Sequence, residues 1–379
     1  MRIAVLGAGK QGSRAIKDLL SMGVSPGVEE VLVADFRKEA VDRLLGEVKD
    51  ERLIGKRVDV TNEDKTAKLL KGYDATINLT WYNLNLEVMR SCLKATSHYT
   101  DAGGLFNKTR EQLELHDDFK DAGLTAVVGC GGSPGHMNVL AKIAADKLDE
   151  IDEIHIRLGS GPAVYTLHSE TATLAKYIGK GCRTVTFKQT IGAEMRDALI
   201  KLRDLGLVSK KEIVAGGVKI VPYDVTIDVI EANPNQKVFG YSGRTIMDEF
   251  MLPAVEYINS SFEEFEPISG DEMIEFPEIF GDQLGTPNAI VKGRLRGDPA
   301  ISLAGIIGLG KTSRERTLSK YGGTGPMISV AAQMLAREEI AKRGVYPPEA
   351  VMNTSRYKEE MKKRGCPGFL ETLIITKKT

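Results

Sequence analysis

Strand-like and helix-like runs alternate through the first 130 residues. Short β-branched runs predict strands, and segments with apolar residues at helical spacing follow them. The predicted strands are Arg2–Leu6, Glu30–Ala34, Arg57–Val60, Ala75–Leu79, His98–Thr100 and Thr125–Val128. The predicted helices are Ser13–Ser21, Lys38–Val48, a helix from Thr61 to about Leu70, Leu86–Ala95 and Asp117–Ala122. This order predicts an α/β fold of the Rossmann class, with a doubly wound parallel sheet covered by helices.

The pattern changes after about Glu153. Apolar residues then alternate or cluster as in strands, with longer loops between the runs. These runs are Val218–Val221, Asp224–Val229 and Ala289–Leu295. A strongly helical segment, Ile328–Ala341, stops before Gly344 and two prolines. The second half therefore predicts an α+β domain followed by a C-terminal helix.

Composition and charge exclude several classes of protein. Hydrophobic residues make up 42% and charged residues 27% of the 379 residues, which is typical of globular proteins. Lys and Arg number 51 against 52 Asp and Glu, so a nucleic-acid partner is not expected. No run approaches the roughly 20 apolar residues of a membrane-spanning helix, so no membrane association is expected.

The cysteines and the start of the chain indicate a reducing compartment. Met1–Leu6 runs directly into a strand pattern, without the features of a signal peptide. We therefore expect a cytoplasmic protein with reduced thiols. The cysteines are not paired as CxxC, so no metal site is expected. They are Cys92, Cys130, Cys182 and Cys366.

The first predicted strand leads into a glycine-rich turn. Gly7-Ala8-Gly9-Lys10-Gln11-Gly12 has the spacing G-x-G-x-x-G directly after a strand and before a helix. Gly7 permits the tight turn, Gly9 lets backbone approach a pyrophosphate, and Gly12 lets the helix pack on the strand. The helix N-terminus offers unpaired N–H groups to phosphates. The turn predicts a dinucleotide site.

A carboxylate at the end of the second strand strengthens this prediction. Asp35 follows Gly12 by 23 residues, where an acidic residue accepts hydrogen bonds from ribose hydroxyls. Its charge repels a 2′-phosphate and favours NAD. Arg37 and Lys38 follow at once and would bind that phosphate, so NADP stays possible.

The ends of the next strands should border the same site. Ligands of doubly wound sheets bind beyond the carboxyl ends of the strands. Asp59 and Val60 are therefore expected near the adenine, and Leu79, Thr80 and Trp81 near the nicotinamide-side ribose. Trp81 is equally interpretable as a packing aromatic.

Several segments together resemble the saccharopine dehydrogenase family, which includes saccharopine dehydrogenases and lysine 6-dehydrogenases. The resemblance spans most of the chain. It rests on Gly7–Gly12, Asp59–Thr61, Asp74–Asn78, Gly129–Asn138, Leu167–Thr173, Leu202–Leu207, Asp248–Phe250 with Pro253-Ala254, and Gly325-Pro326 to Glu349. Ser133 replaces the Asp of saccharopine-cleaving members, which is closer to lysine 6-dehydrogenases. Asp248–Ala254 follows Leu167–Thr173, whereas the family has the reverse order.

The resemblance implies a domain order and an activity. It implies a Rossmann domain (1–130), an inserted α+β catalytic domain (131–320) and a C-terminal segment (321–379) whose helix returns to the first domain. The implied activity is NAD(P)-dependent oxidation at a C–N bond of a lysine-related amino acid by a homodimer. A dehydrogenase of polyamine- or opine-like substrates and a non-catalytic dinucleotide sensor remain alternatives.

Amine oxidation requires a base and an anchor for the substrate carboxylate. His168 and Glu170 are the base candidates, since in an extended segment they would face one side. His136 would either face the nicotinamide or hydrogen-bond within its loop. The substrate-binding candidates are Arg244, Arg157 and Tyr82.

Overall fold

The computed structural model describes residues 1–158, 163–190, 193–232, 288–306 and 323–375. They pack as two compact units. The described residues of the first unit fall within Met1–Arg157, Ser169–Thr186 and Leu284–Thr379, and those of the second within Leu158–His168 and Phe187–Gln283.

A seven-stranded parallel sheet forms the centre of the first unit. Its strands are β1 (Arg2–Leu6), β2 (Glu30–Asp35), β3 (Leu53–Arg57), β4 (Ala75–Asn78), β5 (His98–Asp101), β6 (Thr125–Val127) and β14 (Gly344–Tyr346). Their order is β14-β6-β5-β4-β1-β2-β3, and each neighbouring pair is parallel. The predicted Rossmann class is confirmed.

Helices connect these strands because apolar residues recur on the faces that they bury. The helices are α1 (Lys10–Leu19), α2 (Lys38–Val48), α3 (Glu63–Leu70), α4 (Asn85–Ala95), α5 (Leu105–Glu114), α6 (His116–Asp121) and α7 (His136–Ala145). In α1, for example, Ala15, Ile16 and Leu19 are fully buried. Sheet residues such as Leu6 and Leu32 share one core cluster with Val88 of α4. This core fixes the strand ends that carry the candidate site.

The third strand lies earlier in the chain than predicted. β3 pairs with β2 from Leu53 to Arg57, whereas the prediction was Arg57–Val60. As the edge strand of the sheet, β3 buries little, so its Gly-Lys-Arg end lacks the apolar pattern of an interior strand. Asp59 consequently lies in a loop beyond the strand.

Two helix starts also differ from the predictions. Helix α1 begins at Lys10 rather than Ser13, so the glycine turn runs directly into it. The N-cap of α3 is Asn62, whose Oδ1 accepts the Lys65 N–H at 3.0 Å. Thr61, the predicted cap, instead bonds to Asp59 through its hydroxyl and its N–H.

The first unit also contains a second sheet, in the order β15-β13-β12-β7-β9, to which β7 belongs as far as Arg157 and β9 as far as Thr186. The strands are β7 (Glu150–Leu158), β9 (Thr184–Thr190), β12 (Asn288–Leu295), β13 (Asp298–Ile306) and β15 (Phe369–Ile375), and helix α8 (Ser169–Ile178) precedes β9. The pairs β7–β12, β12–β13 and β13–β15 are antiparallel. This sheet supports the predicted α+β insertion.

The second unit contains short strands and two helices. The elements are β8 (Ala163–Tyr165), α9 (Ala193–Asp204), β10 (Ile213–Ala215), β11 (Val218–Ile220) and α10 (Pro222–Glu231), with β8 antiparallel to the end of β9. The prediction of a strand over Asp224–Val229 is wrong. Pro222 occupies the first turn of a helix there, and Tyr223, Thr226 and Ile227 are buried at helical spacing.

The C-terminal segment returns to the Rossmann sheet, as the fold prediction stated. It comprises α11 (Thr324–Ala336), α12 (Pro348–Val351) and α13 (Thr354–Lys363). The predicted helix Ile328–Ala341 thus begins earlier and ends earlier in the structure. Strand β14 pairs in parallel with β6, and Gly325 of α11 lies against Arg14 of α1.

The two compact units do not test the predicted domain boundaries at residues 130 and 320. These boundaries stay a prediction. Within the described ranges, no helix is long and apolar enough to cross a membrane. The same ranges hold no group of three or more His, Cys, Asp or Glu side chains arranged to bind a metal ion.

Candidate functional site

The turn between β1 and α1 depends on two glycines that have no room for a side chain. Gly7 has a φ of +108°, and a Cβ there would lie 2.5 Å from the carbonyl oxygen of Leu79. A Cβ on Gly12 would lie 1.9 Å from the carbonyl oxygen of Gly7. Both positions therefore require glycine for the turn itself.

Gly9 differs because its surroundings are open. A Cβ on Gly9 would meet no atom within 4 Å, and its φ of −79° suits any residue. It is the N-cap of α1 and has no side chain to cap the helix, so N–H groups of the first turn point outward. Nearby, Gln11 Oε1 is buried without a hydrogen-bond partner among the described residues. An open cradle at a helix N-terminus fits a pyrophosphate.

Asp35 is held beside this turn by backbone donors. The Ala8 N–H donates to Oδ2 and the Arg37 N–H to Oδ1, each at 2.9 Å. The Arg37 Nε lies 3.5 Å from Oδ1 and the Arg37 side chain is largely exposed. The carboxylate keeps lone pairs for ribose hydroxyls. Arg37 is close enough to meet a phosphate there.

Residues beyond β3 and β4 extend this edge. Val58 donates its N–H to the Asp35 carbonyl oxygen at 3.1 Å, which brings the following Asp59 near the turn. Hydrogen bonds from Thr61 lower the pKa of the exposed Asp59. Val60 is buried. Of the two residues expected near the adenine, Asp59 is therefore exposed and ionised, and Val60 is buried.

The chain after β4 is fixed to the glycine turn. Leu79 donates its N–H to the Leu6 carbonyl oxygen at 2.7 Å, and Thr80 donates its N–H and hydroxyl to Asn78 Oδ1. Trp81 is 45% exposed and packs edge-to-face with the half-buried Tyr82, at 5.9 Å between ring centroids. The structure thus brings most predicted cofactor residues to one edge of the sheet.

A buried polar network that the sequence analysis missed holds the ends of β5 and β6. Asp101 accepts hydrogen bonds from the N–H groups of Gly103 and Gly129, from the Tyr99 hydroxyl and from Gln112 Nε2. Burial raises the pKa of Asp101, while these donors favour its ionised form. The carboxyl-end rule that selected Asp35 would also have selected Asp101.

The Gly129–Asn138 loop holds Glu170 in the first unit. The Ser133 hydroxyl donates to Glu170 Oε1, and Glu170 is fully buried. Glu170 is the second residue of α8, so the expectation of an extended segment from His168 to Glu170 is wrong. The helix begins at Ser169, whose hydroxyl bonds to Leu105 and Thr109 and ties it to α5.

His136 lies at the start of α7 with both ring nitrogens occupied. Its Nε2 donates to the Gly323 carbonyl oxygen at 3.2 Å, so its Nδ1 accepts from the Tyr357 hydroxyl at 2.6 Å. Burial lowers the pKa of His136 to about 4. Both partners lie in the C-terminal part of the chain, so these contacts are not the hydrogen bond within its own loop that the sequence analysis offered as the alternative to facing the nicotinamide.

The remaining candidates lie in different places. His168 belongs to the second unit and stacks on Phe187, with 4.4 Å between ring centroids. Arg157 lies near the end of β7, where its backbone is opposite Asn288. Arg244 lies outside the described residues, as does the Asp248–Ala254 segment.

Comparison with known proteins identifies the first domain. Residues 3–127 match the family described as the saccharopine dehydrogenase NADP binding domain. These residues, about a third of the chain, are similar to that family. The match covers the whole strand-end site from Gly7 to Asp101, and it confirms the resemblance inferred from the sequence.

Two curated proteins are similar to part of this chain. Carboxyaminopropylagmatine dehydrogenase of Synechocystis is 27% identical over 162 residues, which cover 41% of this chain and 39% of the relative. Carboxynorspermidine synthase of Vibrio cholerae is 29% identical over 125 residues, which cover 29% and 30%. The chain therefore matches well under half the length of each relative.

A solved structure extends the likeness to the whole chain. The apo saccharopine dehydrogenase (L-Glu forming) of Saccharomyces cerevisiae has a TM-score of 0.57 over 98% of this chain and 99% of its own, at 13% identity. At this identity the comparison shows the fold. It includes the inserted second sheet and the C-terminal return.

The matched residues fit a pyridine dinucleotide. The open cradle at Gly9 fits a pyrophosphate, and the carboxylate of Asp35 fits the ribose hydroxyls of a pyridine dinucleotide. The prediction of an NAD(P) cofactor is confirmed. The choice of NAD over NADP stays a prediction.

Proposed function

We propose that this protein is an NAD(P)-dependent oxidoreductase acting at a C–N bond of a carboxylate-bearing amine. The observation that carries the proposal is the pairing, in one unit, of a dinucleotide site similar to that of saccharopine dehydrogenases with a buried carboxyl, Glu170, which is held by the loop after β6 of the same sheet. Such a carboxyl supplies the base that amine oxidation requires.

The proposed reaction begins with a proton transfer. Glu170, oriented by Ser133, takes a proton from the substrate ammonium, since only the neutral amine can release hydride from its neighbouring carbon. The bound pyridine nucleotide supplies a two-electron acceptor for that hydride. Water then adds to the resulting imine and the C–N bond breaks, which releases an amine and a carbonyl compound. The same groups serve the reverse, reductive direction.

Two substrate classes fit this proposal. The sequence resemblance favours a lysine-related amino acid such as saccharopine or lysine. The names of the two curated relatives favour a carboxyalkylated polyamine. Arg244, Arg157 and Tyr82 stay the proposed contacts of the substrate. We also propose a cytoplasmic homodimer, as expected from the sequence.

A substrate panel tests the activity. The absorbance of reduced nicotinamide would be followed with lysine, saccharopine, carboxynorspermidine and an opine, each with NAD⁺ and NADP⁺. We expect turnover with one amine class and loss of turnover in Glu170→Gln, which retains NADH binding in a fluorescence titration. Tight nucleotide binding without turnover of any amine, in either direction, would contradict the proposal and favour a dinucleotide sensor.

A further inference from the structure

A second buried carboxyl lies near Glu170. Glu349 belongs to α12 and Glu170 to α8, and both are at most 2% exposed. They are close enough for the charge of Glu170 to raise the pKa of Glu349. Two carboxyls buried together repel each other when both are ionised, so their protonation is coupled.

A chain of hydrogen bonds joins Glu349 to the loop that holds Glu170. Asn138 Nδ2 donates to Glu349 Oε2 at 2.8 Å, and Asn138 Oδ1 accepts the Gly135 N–H at 2.9 Å. Gly135 is in the same loop as Ser133, whose hydroxyl binds Glu170. Because Glu349 Oε2 accepts from Asn138 Nδ2, the Asn138 Oδ1 faces the Gly135 N–H. This second hydrogen bond holds the loop in place.

The surroundings of Glu349 leave one of its oxygens unused. Glu349 Oε1 is buried and has no hydrogen-bond partner among the described residues. Burial, with a smaller effect of Glu170, raises the pKa of Glu349 to about 7. The carboxyl therefore changes its charge near neutral pH.

Among the residues that the structure describes, the other titratable groups that face Glu349 are a tyrosine and a cysteine. Tyr177 of α8 and Cys130 of the loop after β6 face it, and burial raises the pKa of both. On α7, the His136 ring bonds to Tyr357 and Gly323, and Lys142 pairs with Asp146. The charge of Glu349 therefore contributes to the charge near Glu170.

We propose that Glu349 is a positioning residue for Glu170: it holds the Gly129–Asn138 loop through Asn138 and sets the charge beside the catalytic carboxyl. This inference rests on the proposed role of Glu170 as the base. Protonated Glu349 is neutral, and loss of its proton places a negative charge in the buried surroundings of Glu170.

The test compares Glu349→Gln with wild type in the pH profile of kcat/KM from about pH 5 to about pH 9, which reports ionisations of the free enzyme. Gln keeps an oxygen acceptor for Asn138 but cannot ionise. We expect an inflection near pH 7 in wild type that Glu349→Gln lacks. Below this inflection the variant's kcat and KM should match those of wild type, because Gln keeps the hydrogen bond to Asn138 and mimics the protonated carboxyl. Ser133→Ala should lower kcat and keep the inflection.

Glu371→Gln is the matched control, because Glu371 is a carboxylate of β15 that pairs with Lys147 and Lys358 away from this loop. It should keep both the rate and the inflection. A Glu349→Gln profile that retains the wild-type inflection would overturn the proposal.

Failure of the proposed activity is distinguishable from failure of this inference. If wild type turns over no substrate, the free energy of unfolding still reports the ionisation of Glu349. Glu349→Gln should then gain stability over wild type as the pH rises from about 5 to about 8, because only wild type ionises a buried carboxyl. A stability difference that is constant over this range would overturn the role of Glu349.

Discussion

At the scale of single residues, the three glycines of the dinucleotide turn have different physical roles. Gly7 and Gly12 are required by the protein's own backbone, since a Cβ on either would overlap a carbonyl oxygen. Gly9 has open space beside it and an ordinary φ. The motif spacing predicted all three glycines. In the structure the fold itself requires Gly7 and Gly12, whereas Gly9 would be required only by a bound ligand.

This difference yields a test of the cofactor site. Gly9→Ala should leave the free energy of unfolding of the cofactor-free protein within about 0.5 kcal/mol of wild type. It should raise the Kd for NADH or NADPH at least about tenfold, because the methyl group occupies space that a pyrophosphate needs. Fluorescence titration and chemical denaturation measure the two effects.

Gly46→Ala is the matched control for Gly9→Ala. Gly46 lies in α2, is exposed, and would also give its Cβ no neighbour within 4 Å. We expect it to gain about 0.5–1 kcal/mol of stability from helix propensity and to leave nucleotide binding unchanged. Equal nucleotide affinity in both variants would argue against phosphate at Gly9.

Two acidic residues show which parts of the site can be predicted from the sequence and which cannot. Asp35 was predictable because a known spacing relates it to Gly12. Glu349 was not, since it lies 211 residues from Asn138 in the chain and follows two prolines in a short helix. Only the fold brings such residues together.

At the scale of elements, the predictions succeeded where burial is one-sided or complete. Strand β1 and helix α2 match their predicted bounds because interior strands and amphipathic helices have clear periods. Helix α5 was not predicted, since its buried face includes Thr109 and Gln112 in place of apolar residues. Tertiary hydrogen bonds, which the local pattern does not contain, hold it in place.

An ion pair between the first helix, α1, and the last helix, α13, allows a further test. Arg364, which ends α13, is almost fully buried and binds Asp18 of α1 through Nε and Nη2, at 2.9 and 2.7 Å. Its Nη1 binds Glu360 at 2.8 Å. Asp18→Asn should cost about 2–4 kcal/mol, because it removes one charge from a buried pair. Denaturation and hydrogen exchange of α13 measure the loss.

Asp42→Asn is the comparison for Asp18→Asn. Asp42 pairs with Lys38 on the exposed face of α2, and such surface pairs contribute about 0.5 kcal/mol or less. Equal losses in the two variants, or unchanged exchange of α13 in Asp18→Asn, would show that the buried pair does not hold the C-terminal helix on α1.

At the scale of the whole molecule, the C-terminal return completes the site that the Rossmann half begins. It contributes β14 to the sheet, Gly323 and Tyr357 to His136, and Glu349 to Asn138. The resemblance predicted this return, whereas hydrophobic periodicity alone predicted only a helix near the end. The C-terminal segment thus contacts one loop at two points. There it buries a base, His136, and contributes a buried acid, Glu349.

These two groups affect stability in opposite directions as the pH changes. The pKa of His136 is lowered from 6.5 to about 4, so its contribution is present above pH 6.5 and is lost as the pH falls towards 4. The pKa of Glu349 is raised from 4.5 to about 7, so its contribution is present below pH 4.5 and is lost as the pH rises to 7. Each amounts to about 3 kcal/mol at most.

The two losses therefore oppose each other between about pH 4.5 and about pH 6.5, and only single substitutions separate them. His136→Gln should leave the Glu349 effect uncompensated, so that its unfolding free energy falls as the pH rises through this range. Glu349→Gln should show the opposite slope. Urea denaturation at several pH values measures both. Parallel curves for wild type and His136→Gln would mean that His136 is charged to the same degree in the folded and unfolded chain, which its buried contacts with Tyr357 and Gly323 oppose.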